Sequence, residues 1–188
     1  MKTRDIPNLL TIIRILLVFP LVGLLLQERF SLALYIMLLA GVTDLFDGYL
    51  ARRNGWQSRL GSILDPIADK LLIVSIVLVL GWLDLVPPWL VVAILVRDVL
   101  IVTGVAAYHM LVGPVVIEPS RVGKISTAVQ ISVCLFVVMD KVVTFVPELM
   151  LITWFFVTLG TTVLSGVDYA LVWGRRAMRS GLKLRTHD

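Results

Sequence analysis

The stretch that decides the fold is residues 44–53, DLFDGYLARR, which closely follows the apolar run SLALYIMLLAGV at residues 31–42. It places Asp44, Asp47 and Arg52 where a membrane-spanning helix is normally apolar. A charged side chain at such depth costs roughly 3 kcal/mol even on the mildest scale, so each is a candidate functional residue. The rest of the chain must supply groups that make these charges tolerable.

The composition is that of an integral membrane protein. The 188 residues are 59% hydrophobic, the mean hydropathy is +0.96, and apolar runs long enough to cross a bilayer recur along the chain. The single cysteine, Cys134, excludes an internal disulfide framework, and the lack of a Cys/His cluster argues against a zinc site. We expect membrane lipids around the protein and no nucleic-acid partner.

Six membrane-spanning helices are predicted, which makes the fold all-α: Leu9–Leu26, Leu32–Arg52, Ser62–Trp82, Trp89–Leu111, Ile125–Val143 and Leu149–Trp173. The distribution of basic residues predicts the orientation, because Lys and Arg are enriched at the cytoplasmic ends of membrane-spanning helices. Only Arg29 and Lys141 fall at one set of ends, whereas 12 fall at the other: Lys2, Arg4, Arg52, Arg53, Arg59, Arg121, Lys124, Arg175, Arg176, Arg179, Lys183 and Arg185.

With six spans, both termini are expected to be cytoplasmic. Residues 1–173 would form the membrane domain, and residues 174–188 a basic cytoplasmic tail that lies on anionic headgroups or only fixes the topology. We expect the protein in the cytoplasmic (inner) membrane of a bacterium, with its active site facing the cytoplasm.

A second pair of carboxylates mirrors the first. Asp65 and Asp69, in GSILDPIADK at residues 61–70, are four apart, and the earlier pair is three apart, so each pair shares one face of its helix. The short connection predicts an antiparallel hairpin. At about 1.5 Å per residue, Asp44 and Asp69 lie roughly 12–14 Å from the cytoplasmic ends. Four carboxylates should therefore converge in one pocket.

Four carboxylates at one place need positive charge, because they cannot all ionise together in a low dielectric without it. Two hard divalent cations with oxygen ligands, Mg²⁺ or Mn²⁺, meet that need and bring substrate phosphates with them. The alternatives are a polar core in a non-catalytic membrane scaffold and an ion pathway in a transporter. Gly48, for close backbone approach, and Arg52, for phosphate oxygens, favour a nucleotide-diphosphate site.

The spacing of these residues resembles a family signature. Asp44-x2-Asp47-Gly48-x2-Ala51-Arg52-x8-Gly61-x3-Asp65-x3-Asp69 is similar at every position to the signature of the CDP-alcohol phosphatidyltransferases. The similarity extends to six spans over nearly the whole chain. It implies a transferase in which an acceptor hydroxyl attacks the β-phosphoryl group of CDP-diacylglycerol and CMP leaves.

The resemblance also implies roles for individual residues. Asp69 would bind one metal ion and act as the catalytic base, and the other metal ligands would be Asp44, Asp47 and Asp65. The residues implied to contact the CDP-lipid are Gly48, Ala51 and Gly61 at the cytidine, Arg52 at the diphosphate, and Asn8 and Thr11 in the first span. Asn8, Thr11 and Arg14 recur at helical spacing and are expected to face the nucleotide; the alternative is an interfacial cap and a snorkelling arginine. Members of the family are generally homodimers, so a homodimer is expected.

The site for the acceptor's phosphate is predicted from basic residues of the fourth and fifth spans. Arg97, Arg121 and Lys124 are candidates for an anion site there. Two alternatives stay open: Arg97 and Asp98 form a structural ion pair, and the two residues before the fifth span serve topology alone.

Two positions favour phosphatidylglycerol as the acceptor. In the fourth span, Asp98 stands where the glycerophosphate-transferring branch of the family usually has glutamate, and the further arginine that usually follows soon after is absent. Before the fifth span, Ser126 stands where that branch has a second lysine. A site with less positive charge suits a phosphodiester carrying one negative charge better than the phosphomonoester of glycerol 3-phosphate. The predicted product is then cardiolipin, and glycerol 3-phosphate is the alternative acceptor.

Overall fold

The computed structural model describes the backbone at residues 6–54, 61–112, 120–143 and 146–185, and the side chains at residues 11–43, 67–104, 120–143 and 146–172. Every regular element within these ranges is an α-helix, as the sequence predicted. The helices are α1 Ile6–Leu26, α2 Phe30–Asn54, α3 Gly61–Trp82, α4 Pro88–Val112, α5 Arg121–Val143 and α6 Glu148–Arg185.

Within the part of the chain whose side chains are described, two helical segments are long and apolar enough to cross a membrane, Arg121–Val143 and Glu148–Val172. Shorter apolar helical stretches run over Thr11–Leu26 and Phe30–Thr43. Each of the six helices also carries large apolar side chains on its outside, for example Phe19, Tyr35, Trp82, Leu100, Val143 and Leu164. Such a surface suits lipid, because a soluble protein rarely exposes so many large apolar side chains. The number of spans and their orientation stay predictions.

Two helix ends lie four or more residues from the predicted span limits, and the other ends lie within three. Helix α5 begins at Arg121 rather than at Ile125, because the Ser120 hydroxyl caps it by accepting a hydrogen bond from the Gly123 N–H at 3.0 Å. Helix α6 continues to Arg185, so the predicted limit between membrane domain and tail at residue 173 lies inside a continuous helix.

The chain divides into two compact units. The first comprises Met1–Val86 and Cys134–Leu151. In it, α1 packs against both α2 and α3. Its buried side chains include Leu21, Met37 and Leu80. This arrangement brings the first span against both helices that carry the paired carboxylates.

The second unit comprises Pro87–Val133 and Ile152–Asp188, and thus contains α4, the first half of α5 and most of α6. Its interior is partly apolar, with Leu90 and Ile94 buried on α4. The Trp89 and Phe156 rings stack with their centroids 5.7 Å apart, which joins α4 to α6 near the start of α4. Further along the helices the interior becomes polar, and that polar part holds the second candidate site.

Candidate active site

The buried face of α1 changes character along the helix. Thr11, Arg14, Leu21 and Leu25 are all buried, and their spacing of three, seven and four residues keeps them on one side. The half of this face nearer the N-terminus is therefore polar and the other half apolar. A buried arginine is costly unless it is paired, so a partner must lie opposite on a neighbouring helix.

That partner is Asp69 on α3. The Arg14 Nη1 donates a hydrogen bond to the Asp69 Oδ1 at 2.6 Å, within an ion pair. The arginine side chain is only 3% exposed, whereas the aspartate side chain is 45% exposed. The carboxylate predicted as catalytic base is thus held from inside the protein and accessible from outside. The sequence placed Arg14 beside the nucleotide, and its contact with Asp69 was not foreseen.

The other three predicted metal ligands lie in the expected helices, Asp44 and Asp47 in α2 and Asp65 in α3. Their side chains lie outside the described residues. Among the described side chains of α2, the buried ones are Ala33, Met37 and Ala40, four and three apart, and positions 44 and 47 continue this spacing in the sequence. The backbone register thus agrees with a convergence of carboxylates beside α1, while the convergence itself stays a prediction.

Most of the CDP-lipid residues also lie where their side chains are not described. This holds for Asn8 on α1, for Gly48, Ala51 and Arg52 on α2, and for Gly61 at the start of α3. Among the described side chains, no group of three or more metal-ligating residues occurs. The two-metal site and the cytidine site therefore remain predictions. Thr11, whose side chain is described, is buried one turn before Arg14.

A second buried arginine organises the other unit. The Arg97 Nη1 donates a hydrogen bond to the Asp98 Oδ1 at 2.8 Å, and both side chains are almost fully buried, at 6% and 7% exposure. The Nε and Nη2 atoms of Arg97 donate to the Ser165 Oγ on α6 at 3.1 and 2.7 Å. The alternative that Arg97 and Asp98 form an ion pair is thus confirmed, and the role of Arg97 toward an acceptor stays a prediction.

The first turn of α5 lies against this arginine. A Cβ atom added at Gly123 would meet the Ser120 Oγ at 3.3 Å, the Arg97 Nη2 at 3.4 Å and the Ser165 Oγ at 3.8 Å. Only a residue without a side chain lets the helix come this close without displacing its neighbours. Arg121 and Lys124, the other predicted acceptor residues, flank Gly123 in the chain and are exposed. All three acceptor candidates therefore belong to one polar region of the second unit.

Polar side chains continue along α5 and α6 away from Arg97. The Gln130 Nε2 donates a hydrogen bond to the Thr162 Oγ1 at 3.2 Å, and both residues are buried. Ser126, one turn before Gln130, is fully buried, and its hydroxyl has no hydrogen-bonding partner among the described residues. Polar contacts of this kind join helices in membranes, where burying an unpaired polar group is costly.

The sequence-based prediction missed Ser165, Gly123 and the Gln130–Thr162 contact. A signal was available in α6, where Thr158, Thr162 and Ser165 recur four and three residues apart inside an apolar helix. That spacing predicts a polar face against a neighbouring helix. The spacing of these residues does not show which helices pack against this face of α6.

Comparison with known proteins places the chain in a family. The family model described as CDP-alcohol phosphatidyltransferase matches residues 4–164, which include the complete signature at residues 44–69. The match covers most of the chain, so the chain belongs to the CDP-alcohol phosphatidyltransferase family. The resemblance that the sequence motif indicated is confirmed.

Several relatives carry the same name. Proteins named cardiolipin synthase (CMP-forming) are 40% identical over 142 residues in Rattus norvegicus, 35% over 191 residues in Homo sapiens and 36% over 116 residues in Streptomyces coelicolor. These matches cover 67%, 93% and 57% of this chain. They cover 47%, 63% and 54% of the relatives. The chain thus spans about half the length of the relatives it matches.

Proposed function

We propose that this chain transfers a phosphatidyl group from CDP-diacylglycerol to a hydroxyl group of phosphatidylglycerol, giving cardiolipin and CMP. The observation that carries this proposal is the family match over residues 4–164, which contains every position of the signature. The names of the rat, human and Streptomyces relatives support the choice of acceptor.

The four signature aspartates fit a site for two divalent cations, Mg²⁺ or Mn²⁺. Carboxylate oxygens are the ligands that these ions prefer. Asp69, the one member whose side chain is described, is open on one side and still ionically paired on the other. Asp44, Asp47, Asp65 and Asp69 would hold the ions, which when bound would neutralise the diphosphate and the departing CMP.

In the proposed reaction the acceptor oxygen forms a bond to the β-phosphorus while the bond from that phosphorus to CMP breaks. The Asp69 carboxylate accepts the proton that the hydroxyl loses. Arg52 binds diphosphate oxygens, since a guanidinium can make two parallel contacts with them. The residues proposed to surround the rest of the CDP-lipid are Gly48, Ala51 and Gly61 at the cytidine, and Asn8 and Thr11 on α1.

The charge around Arg97 supports a phosphodiester acceptor. Asp98 offsets the guanidinium charge at 2.8 Å, so the buried pair is close to neutral as a unit. The positive charge for the acceptor must then come from other residues, and a singly charged phosphodiester needs less of it than the phosphomonoester of glycerol 3-phosphate. Glycerol 3-phosphate remains the second candidate, because the exposed Arg121 and Lys124 add two positive charges beside Gly123.

The test is CMP release by the purified protein with CDP-diacylglycerol, Mg²⁺ and either phosphatidylglycerol, glycerol 3-phosphate or no acceptor. We expect release with phosphatidylglycerol and cardiolipin as the product. Asp69→Asn should bind the CDP-lipid without turnover. Asp84→Asn, which changes an exposed turn residue with φ 56°, should keep full activity. Release with none of the acceptors would contradict a transferase and revive the transporter alternative.

We also propose six membrane spans with both termini in the cytoplasm, a membrane domain over residues 1–173 and a basic tail over residues 174–188. One cavity lined by Arg29 and Lys141 supports this topology, because it joins the α1–α2 turn to the end of α5. These two residues are the only basic ones predicted on the non-cytoplasmic side. Labelling of single cysteines introduced at Arg29 and in the tail, from either side of sealed vesicles, would test the orientation.

The proposed location is the inner membrane of a bacterium, with the site facing the cytoplasm. The proposed assembly is a homodimer, on the strength of the family resemblance. Measurement of the protein mass in detergent micelles by light scattering tests the homodimer directly, and a monomeric mass would contradict it.

A further inference from the structure

We infer that Arg14 is a positioning residue that acts as a built-in counter-charge for Asp69: it holds this carboxylate when no cation is bound and competes electrostatically with cations for it. The inference rests on the proposed function, in which Asp69 binds a divalent ion. It adds a residue outside the signature to the proposed catalytic machinery, and it predicts the sign of that residue's effect.

The first observation is the asymmetry of the ion pair. The Arg14 Nη1 and the Asp69 Oδ1 are 2.6 Å apart, and the arginine side chain is 3% exposed while that of the aspartate is 45% exposed. A guanidinium this deeply buried has little water to stabilise its charge, so protein groups must do so, and the Asp69 carboxylate is one of them. The carboxylate, in contrast, remains within reach of a ligand from the open side.

The second observation is the matched depth of the two residues. Arg14 lies eight residues after the start of α1 at Ile6, and Asp69 lies eight residues after the start of α3 at Gly61. At about 1.5 Å per residue, both are about 12 Å along their helices. A pair that served only to join α1 to α3 would be equally effective anywhere along the helices. This pair is at the level of the predicted cation site.

The consequence follows from Coulomb's law. A divalent cation bound at Asp69 would lie a few ångströms from a fixed positive charge, in surroundings less polar than water, and the repulsion weakens cation binding. Without a cation, the same arginine offsets the repulsion between neighbouring carboxylates. Arg14 therefore stabilises the cation-free protein and lowers its affinity for cations, and it keeps Asp69 in one orientation in both states.

The experiment measures Mn²⁺ binding to the purified protein without lipid substrates, by the electron paramagnetic resonance signal of free Mn²⁺, together with thermal stability in EDTA. For Arg14→Gln we expect a Kd for Mn²⁺ about tenfold lower than in the wild type and reduced stability in EDTA. The matched control is Arg29→Gln, an exposed arginine in the turn after α1. It should change neither quantity.

A second variant keeps the test decisive if Arg14→Gln does not fold. Arg14→Lys retains the charge and loses the planar guanidinium, so its Kd for Mn²⁺ should stay within about threefold of the wild type. Its stability in EDTA should fall, because the short hydrogen bond to Asp69 is lost. A change of tenfold or more in Arg14→Lys would overturn the inference.

The remaining outcomes separate this inference from the proposed function. If Arg14→Gln binds Mn²⁺ with unchanged or lower affinity while the wild type releases CMP, the inference is wrong and the function stands. If the affinity rises as expected and the wild type releases no CMP with any acceptor, the inference stands without the function. Absence of Mn²⁺ binding by the wild type overturns the inference.

Discussion

Replacing Ser165 by alanine is the sharpest test of the polar region around Arg97. The serine Oγ accepts two hydrogen bonds from the guanidinium, at 2.7 and 3.1 Å, from a residue on α6 to one on α4. Both residues are buried, so no bulk water can replace the lost oxygen. The substitution removes one oxygen atom and leaves the backbone of α6 unchanged.

The expected loss in the free energy of unfolding can be judged from soluble proteins or from membrane proteins. Hydrogen bonds to charged groups in soluble proteins contribute about 1.5–3 kcal/mol each. Measured contacts between membrane helices average about 0.6 kcal/mol and reach about 1.7 kcal/mol. Because Ser165 serves a charged donor at two positions, we expect the upper end of the membrane range, a loss of about 1–2 kcal/mol in the free energy of unfolding.

The assay is unfolding by SDS in mixed micelles, with Ser132→Ala as the matched control. The Ser132 hydroxyl donates to the Ala128 carbonyl of its own helix at 2.8 Å, in a solvent-exposed hydrogen bond. Its removal should change the free energy of unfolding by less than about 0.5 kcal/mol. If Arg97 binds the acceptor, Ser165→Ala should also raise the KM for phosphatidylglycerol by about three- to tenfold and leave kcat less affected.

A double-mutant cycle tests whether the stability lost in Ser165→Ala comes from the contact between Ser165 and Arg97. In an Arg97→Met background the same Ser165→Ala change should cost almost nothing, which gives a coupling energy of about 1 kcal/mol or more. An equal cost in both backgrounds, or a cost no larger than that of Ser132→Ala, would refute the view that Ser165 positions the guanidinium.

Three further predictions concern the same unit and use the same assays. Gly123→Ala should be less stable than Gly160→Ala, because a methyl group at position 123 crowds the Arg97 guanidinium. A methyl group at position 160 meets nothing within 4 Å and improves helix propensity by up to about 1 kcal/mol. Equal stabilities of the two variants would contradict the close approach of Gly123 to Arg97. Asp98→Asn should lower the free energy of unfolding by about 3 kcal/mol and shift acceptor use toward glycerol 3-phosphate. Asp140→Asn should have little effect on either quantity, because its contact with Lys141 is long, at 3.9 Å, and partly exposed. Thr162→Val should cost about 0.5–1.5 kcal/mol, because it leaves a buried glutamine amide without its acceptor, and an unchanged unfolding curve would refute that contact.

The helices were predictable because hydropathy and breakers act locally. The predicted span Ser62–Trp82 differs from α3 by one residue, and Trp89–Leu111 differs from α4 by one at each end. The ends that differ more depend on other interactions. The start of α5 is set by a serine cap, and the far end of α6 lies in a basic, polar segment whose helicity a hydropathy pattern does not report.

The candidate site was predictable only where its residues are close in sequence. Spacing of three and four residues places carboxylates on one helix face, and this needs no tertiary information. The contact between Arg14 and Asp69 spans 55 residues, and that between Arg97 and Ser165 spans 68. Such contacts depend on which helices become neighbours, and one chain's hydropathy pattern does not encode that choice.

Arg14 and Arg97 are both buried and both form an ion pair with an aspartate, but the two aspartates differ in exposure. Asp98 is 7% exposed, so its pair with Arg97 is enclosed on both sides and its partners are fixed. Asp69 is 45% exposed, so its pair with Arg14 is enclosed only on the arginine side. A cation can approach the second kind of carboxylate without first opening the protein, whereas it cannot approach the first. The same ion-pair chemistry therefore gives a fully enclosed contact in one unit and, in the other, a contact whose carboxylate stays accessible.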